Sequence, residues 1–228
     1  MRLTLTSSMA AIVALVTSAA AAQPVVVELF QAQGCSSCPP ANANLAAIAA
    51  RPDVIALNFA VTYWDNLGWK DTFASPAFTA RQWDYARAFH RTQVFTPQVV
   101  VDGRRDGTGV ATADFLKLVG RGAAAAPSPA LVLKPGSVSV SNGPRPGAPA
   151  DVWLVRYDPR TPNVPVRAGE NSGKTLPHKD IVRQLTRLGA WNGAAEALRL
   201  PAPAERGLTD VVLVQLPKGG PILAAVRS

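Results

Sequence analysis

Cysteine and histidine are nearly absent. The 228 residues hold two cysteines, Cys35 and Cys38, and two histidines, His90 and His178; no methionine follows Met9. A closed metal site needs about four ligands of suitable type. Neither histidine is spaced to complete a clip with the cysteines, so no metal site is expected. Acidic residues are few as well: 15 Asp and Glu against 23 Lys and Arg give a formal net charge of +8. The basic residues are scattered, and Arg104-Arg105 is the only adjacent pair. Charge this diffuse argues against a nucleic-acid partner and for a weak attraction to an anionic envelope surface. No apolar run reaches the ~20 residues of a membrane span, and no motif calls for a cofactor.

The most apolar stretch, Met9 to Ala22, follows Arg2, is interrupted by Thr17 and Ser18, and closes in small residues. That pattern predicts a signal peptide over 1–22, cut after Ala22. The mature chain then begins at Gln23, keeps no stable membrane span, and resides in a periplasmic or secreted, oxidising compartment. Disulfides persist there.

What remains is rich in core-forming residues: 48% are hydrophobic and 17% charged, enough to bury a sizeable interior. Val25 to Phe30 is an apolar, β-branched run and predicts a buried strand. Ala41 to Arg51 is Ala-rich, carries Leu45 and Ile48, and ends at Pro52, which predicts a helix. Asp53 to Val61 predicts a second strand, and Pro76 to Thr92 a second helix. Thr96 to Gly103 predicts a strand left through an Asp-Gly turn, with a short return over Arg104 to Gly109. Thr112 to Val119 predicts a third helix, capped by Thr112. The order β-α-β-α-β-β-α describes an α/β layered domain over 23–126.

Past Pro127-Ser128-Pro129, read as a linker, the texture changes. Leu131–Lys134, Val138–Val140, Asp151–Tyr157, Pro165–Ala168, Asp210–Gln215 and Ile222–Val226 are short runs separated by loop chemistry. Ile181, Leu185 and Leu188 suit a helix, but the β-branched content of that segment favours a strand. The expectation is a β-rich domain over 127–228.

Strand, short loop, Cys-x-x-Cys, helix is a specific arrangement. A thiolate at a helix N-terminus meets unpaired N–H groups and the positive end of the macrodipole, so its pKa falls. On that logic Cys35 attacks a substrate sulfur and Cys38 resolves the mixed disulfide. Pro39 and Pro40 suit the first helical turn, where a lost N–H costs little. A structural disulfide and a soft-metal (copper) clip are the competing uses of the pair. Closing a loop this short gains little chain entropy, which makes a purely structural role a poor explanation of the spacing.

The strand–C-x-x-C–helix unit, followed by Thr96-Pro97 opening a later strand and hairpin, resembles the thioredoxin superfamily. The resemblance implies a cis-proline at Pro97 beside the cysteines and a buried proton-shuttling acid at Glu28. A narrower likeness is carried by V-E-L-F-x-x-Q-G-C-S-S-C-P-P, Y-W-D-N-L-G-W-K-D, F-T-P-Q-V-V-V-D-G and G-E-N-S-G-K-T-L. Together these look like an exported bacterial family of unassigned function, with a thioredoxin-like domain and a β-rich second half.

Topology then predicts one site. Cys35, the Tyr63-Trp64-Asp65 segment and Pro97 should meet at a single edge of the sheet. Trp64 and Trp69 offer flat apolar surface to a peptide, with Asp65, Lys70 and Thr96 beside it. Gly169-Glu170-Asn171 is placed near that edge by the family likeness alone. The expected activity is thiol–disulfide exchange on a cysteine-containing exported protein, through a Cys35–Cys38 disulfide. The alternative is a non-catalytic binding module with a static disulfide.

Overall fold

The computed structural model describes residues 23–120 and 128–228. The expected signal peptide lies outside them, as do Pro127 and the domain boundary placed after Ala126.

The first half contributes β1 (Val25–Gln31), α1 (Cys38–Ile48), β2 (Val54–Ala60), α2 (Pro76–Ala88), β3 (Gln98–Val101), β4 (Arg105–Gly107) and α3 (Thr112–Val119). Among the described residues the second half is strands alone: β5 (Leu131–Lys134), β6 (Ser137–Val140), β7 (Ala150–Asp158), β8 (Asn163–Pro165), β9 (Thr175–Pro177), β10 (Ile181–Trp191), β11 (Glu196–Arg199), β12 (Thr209–Gln215) and β13 (Ile222–Arg227). The chain is thus mixed α/β, dominated by sheet.

One eight-stranded mixed sheet runs through both halves, in the order β13-β12-β7-β10-β2-β1-β3-β4. β1 and β2 are parallel, as their helical crossover requires. β3 returns antiparallel to β1, and β4 antiparallel to β3. The turn between them holds Asp102 and Gly103 at positive φ, the backbone a tight hairpin demands. The halves meet where β10 joins β2: Ile181 pairs with Asn58, and the Asn58 N–H donates to the Asp180 carbonyl at 3.0 Å.

Alternation along β1 divides the core. Val27 and Leu29 pack with Leu45 and Ile48 of α1 and Phe115 of α3. Val26 and Phe30 face the other way, among Phe59, Phe78 and Tyr85, and reach Tyr157 and Leu213 of the second half. Both cysteines belong to this second, shared cluster.

Local chemistry sets the helix ends. α1 begins earlier than its Ala-rich stretch suggested, because Pro39 and Pro40 occupy its first turn without an N–H to lose. Ser75 caps α2 by accepting from the Ala77 N–H at 3.3 Å. Thr112 does not cap α3. The cap position falls on Ala111, and the Thr112 hydroxyl instead donates to Asn44 Oδ1 at 2.8 Å.

Candidate functional site

Two successive turns fold the motif onto the end of β1. The Cys35 N–H donates to the Ala32 carbonyl at 3.1 Å, and the Cys38 N–H to the Cys35 carbonyl at 3.2 Å. Cys38 is the first residue of α1, and the two cysteines are bonded to each other, with Cα atoms 5.5 Å apart. Cys35 is 0% and Cys38 1% exposed, whereas Ser36 and Ser37 between them are exposed.

The Thr96–Pro97 bond is cis, and Pro97 is buried. Ser37 spans the gap from this bond to the pair: its Oγ lies 3.3 Å from Cys35 Sγ and donates to the Thr96 carbonyl at 3.5 Å. The Trp64 indole N–H donates to Thr96 Oγ1 at 2.8 Å. Trp64 also stands over Gly34; a Cβ there would lie 3.9 Å from two Trp64 carbons. Tyr63 and Trp64 pack against the cluster that holds both cysteines. Burial pushes the Tyr63 phenol up to about 12, so it stays protonated. Cys35, Cys38, Trp64, Thr96 and Pro97 are therefore brought to one edge.

The remaining expected residues serve the loops around that edge. The Trp69 indole N–H donates to Gln33 Oε1 at 2.8 Å. Asp65 accepts from the Asp71 N–H at 3.1 Å, so it orders its own loop. Asp71, which the sequence reading passed over, accepts from the Gln33 N–H at 2.8 Å and the Phe73 N–H at 2.9 Å. Burial raises its pKa to about 6, against those two N–H bonds, which lower it. Lys70 is exposed.

A strap from the second half closes over the motif. The buried Asn171 side chain donates to the carbonyls of Gln33 (2.9 Å) and Cys35 (2.7 Å). The Glu170 N–H donates to the Gly34 carbonyl at 3.2 Å. Glu170 Oε2 accepts from the Ser36 N–H at 3.0 Å and from Ser36 Oγ at 2.7 Å. Gly169, at φ +77°, passes so close that a Cβ on it would lie 3.2 Å from Gly34 Cα. No local pattern announces this contact; only the family likeness had placed Gly169, Glu170 and Asn171 here.

Glu28 is fully buried on β1, and its carboxylate bonds to neither cysteine. It accepts from Arg81 Nε (2.6 Å), from Arg81 Nη2 (3.1 Å) and from the Tyr85 hydroxyl. Burial, the largest single influence, would lower the Arg81 pKa; the Glu28 carboxylate, Tyr85 and Asp84 together outweigh it and hold the guanidinium above its ordinary range. Gln215 of β12 donates to the Tyr85 hydroxyl at 2.9 Å, tying the second half to this pair. Arg81 and Tyr85 stand one helical turn apart on the α2 face that also carries Phe78, a spacing legible in the sequence once Glu28 is known to need a cation.

Among the described residues no group of three or more His, Cys, Asp and Glu side chains is placed to hold a metal ion. No described helix is long and apolar enough to cross a membrane.

The fold has solved counterparts. A protein of Agrobacterium tumefaciens, solved by X-ray crystallography in a structural-genomics programme, is 30% identical, with a TM-score of 0.71 over 92% of this chain and 95% of that one. HBP35 of Porphyromonas gingivalis shares the fold at 16% identity, with a TM-score of 0.56 over 90% of this chain and 74% of that one. No curated protein matches the sequence. The family model of proteins of unknown function termed DUF1223 matches residues 26–215. That span includes the cysteine motif, the cis-proline strand and the strap, and by it the chain belongs to the DUF1223 family.

Proposed function

We propose that the chain is an exported thiol–disulfide oxidoreductase whose working pair is Cys35 and Cys38 and whose substrate is a cysteine-containing envelope protein. One observation carries the reading: the pair forms a disulfide at the head of α1, and Ser37 links it to the cis Thr96–Pro97 bond. The strand order β2-β1-β3-β4 supports a thioredoxin-like arrangement for 23–126, with 127–228 as its β-rich companion. Cleavage after Ala22 would deliver the mature chain to the periplasm or beyond.

In the reduced protein the Cys35 thiolate attacks one sulfur of a substrate disulfide. A Cys35–substrate bond forms, the substrate S–S bond breaks, and one substrate thiolate leaves. Cys38 releases its proton to solvent and attacks Cys35 Sγ, expelling the second substrate thiolate. The pair loses two electrons and the substrate gains two. Run backwards, the same steps hand a disulfide to a dithiol. Cys35 is the attacker because it precedes the helix, beside the exposed Ser36 and Ser37. Pro97 and Thr96 shape the groove, and Tyr63, Trp64 and Trp69 supply its flat apolar surface, with Asp65 holding their loop. Glu28 is committed to Arg81 and Tyr85, so its part is to brace the floor of the site.

The second reading, a binding module with a static disulfide, draws on the burial of both cysteines. The reduction potential of the pair and the alkylation rate of reduced Cys35 separate the two. A potential above about −300 mV with a reactive Cys35 supports exchange; a lower potential with an inert Cys35 overturns it. A Cys38→Ser variant should trap its substrate as a mixed disulfide during export.

A further inference from the structure

Carboxylates from two different parts of the chain hold the N–H groups on either side of Cys35. Asp71 takes the Gln33 N–H, and Glu170 takes the Ser36 N–H at 3.0 Å together with the Ser36 hydroxyl at 2.7 Å. Donors at this position, at the mouth of a helix, are what ordinarily stabilise a Cys-x-x-Cys thiolate. Here the Ser36 N–H is already spent on an anion. That anion is fixed by the chain around it: the Glu170 N–H is bonded to Gly34, and Asn171 is clamped to Gln33 and Cys35. Its bonds from Ser36 hold the Glu170 carboxyl below its ordinary range, so it is charged at neutral pH. Among the described residues it forms no ion pair. Lys174 Nζ turns instead to Asn171 Oδ1, at 3.0 Å.

We propose that Glu170 is a positioning residue that sets the redox poise of the Cys35–Cys38 pair, disfavouring the Cys35 thiolate and so favouring the disulfide. The inference rests on the exchange chemistry proposed above and gives it a direction. A pair whose dithiol form is destabilised passes electrons on more readily than it accepts them. The protein therefore acts as a reductant of substrate disulfides. Each cycle takes two electrons and two protons from an exported dithiol donor, which leaves as a disulfide.

The test compares wild type, Glu170→Gln and Glu170→Ala as full mature chains. Each is equilibrated in glutathione buffers, and the Cys35 pKa is read from the pH dependence of iodoacetamide alkylation of the reduced protein. Glu170→Gln keeps an acceptor for Ser36 and loses the charge. At a pH above the Cys35 pKa of both proteins it should raise the dithiol-to-disulfide ratio about three- to tenfold, which is about 15–30 mV at 29.6 mV per tenfold. The Cys35 pKa should fall by roughly half to one unit, and both shifts should shrink between ~0.01 M and ~1 M salt as screening shortens. Glu170→Ala should match Glu170→Gln in sign. If wild type exchanges disulfides but Glu170→Gln leaves ratio and pKa unchanged, the role of Glu170 is overturned and the proposed activity stands. A shift of the same size at both salt concentrations assigns the effect to loop packing and overturns it as well. A wild-type pair that exchanges with no thiol, with Cys35 inert when reduced, overturns the activity itself and this inference with it.

Discussion

Asn171 holds the carbonyl of Cys35 across 136 residues of sequence, at 2.7 Å, and the same amide nitrogen reaches the Gln33 carbonyl at 2.9 Å. One side chain from the β-rich half thus satisfies two backbone acceptors of a loop that has left its strand and not yet entered its helix. The Cys35 carbonyl keeps the Cys38 N–H, so it is the Gln33 carbonyl that loses its partner with Asn171, and a buried acceptor without a partner costs about 1–3 kcal/mol. Asn171→Ala should therefore lower the unfolding free energy by about 2 kcal/mol and speed reduction of the disulfide by dithiothreitol. Denaturant titration and a reduction time course measure both. Unchanged values in both would show that the clasp is idle.

Gly169 bears the geometric cost of the same contact. Its φ of +77° is a conformation that L side chains rarely adopt, and an added Cβ would meet Gly34 Cα at 3.2 Å. Gly169→Ala should cost about 1–3 kcal/mol. Because the strain falls where the strap crosses Gly34, the variant should also expose the pair. Faster alkylation of reduced Cys35 than in wild type is the expected sign; loss of stability with no change at Cys35 would separate the turn from the site.

The buried pair Glu28–Arg81 makes a different kind of prediction. Removing one partner strands the other charge in the core, at about 3–5 kcal/mol. Glu28→Gln and Arg81→Met should each destabilise by roughly that amount. The double variant should cost much less than their sum, since neither charge is then left alone. Arg81 Cζ also lies 5.2 Å from the Tyr85 ring centroid and 5.8 Å from that of Trp153, so the aromatic shell has to repack. Additive losses in a double-mutant cycle would refute the coupling.

These features differ in how far the chain announces them. β1 and β2 are continuous apolar runs, and Asp102-Gly103 marks its hairpin, so local pattern suffices. β10 is harder to read because it carries two irregularities against β7, between Val182 and Gln184 and between Arg187 and Gly189. Each shifts the alternation of faces by one residue: Val182 and Leu185, three apart, pack into one cluster and Leu188 into another, so the helix-like spacing of Ile181, Leu185 and Leu188 marks no single face. β8, β9 and β11 are three or four residues long, too short for a periodic signal, and β8 ends at Pro165 where the apolar run seemed to begin. In the site, the Cys-x-x-Cys spacing and Thr96-Pro97 are legible as motifs. The partners of Gln33, Cys35 and Ser36 are not, because Asp71, Glu170 and Asn171 reach them only through the tertiary fold.

Two buried titratable groups near the meeting of the halves should oppose each other in acid. His178 is 1% exposed, packs edge-on to Phe73 with ring centroids 5.8 Å apart, and has its pKa pushed down to about 4 by burial. Between pH 4 and 6.5 the unfolded chain binds a proton at this residue that the folded chain refuses. Its contribution to stability is therefore present above 6.5 and is lost as pH falls toward 4, by about 3 kcal/mol at 1.36 kcal/mol per unit. Asp71 works in the other sense. Burial raises it from 3.8 to about 6, so the folded chain holds the proton longer, and stability falls by about 3 kcal/mol as pH rises through that window. His178→Phe should leave the Asp71 slope exposed, giving a protein more stable at pH 4.5 than at 6.5 relative to wild type. Asp71→Asn should do the reverse and sharpen acid unfolding. Urea titrations at the two pH values read both, and parallel pH profiles for wild type and the two variants would refute the assignment of both slopes.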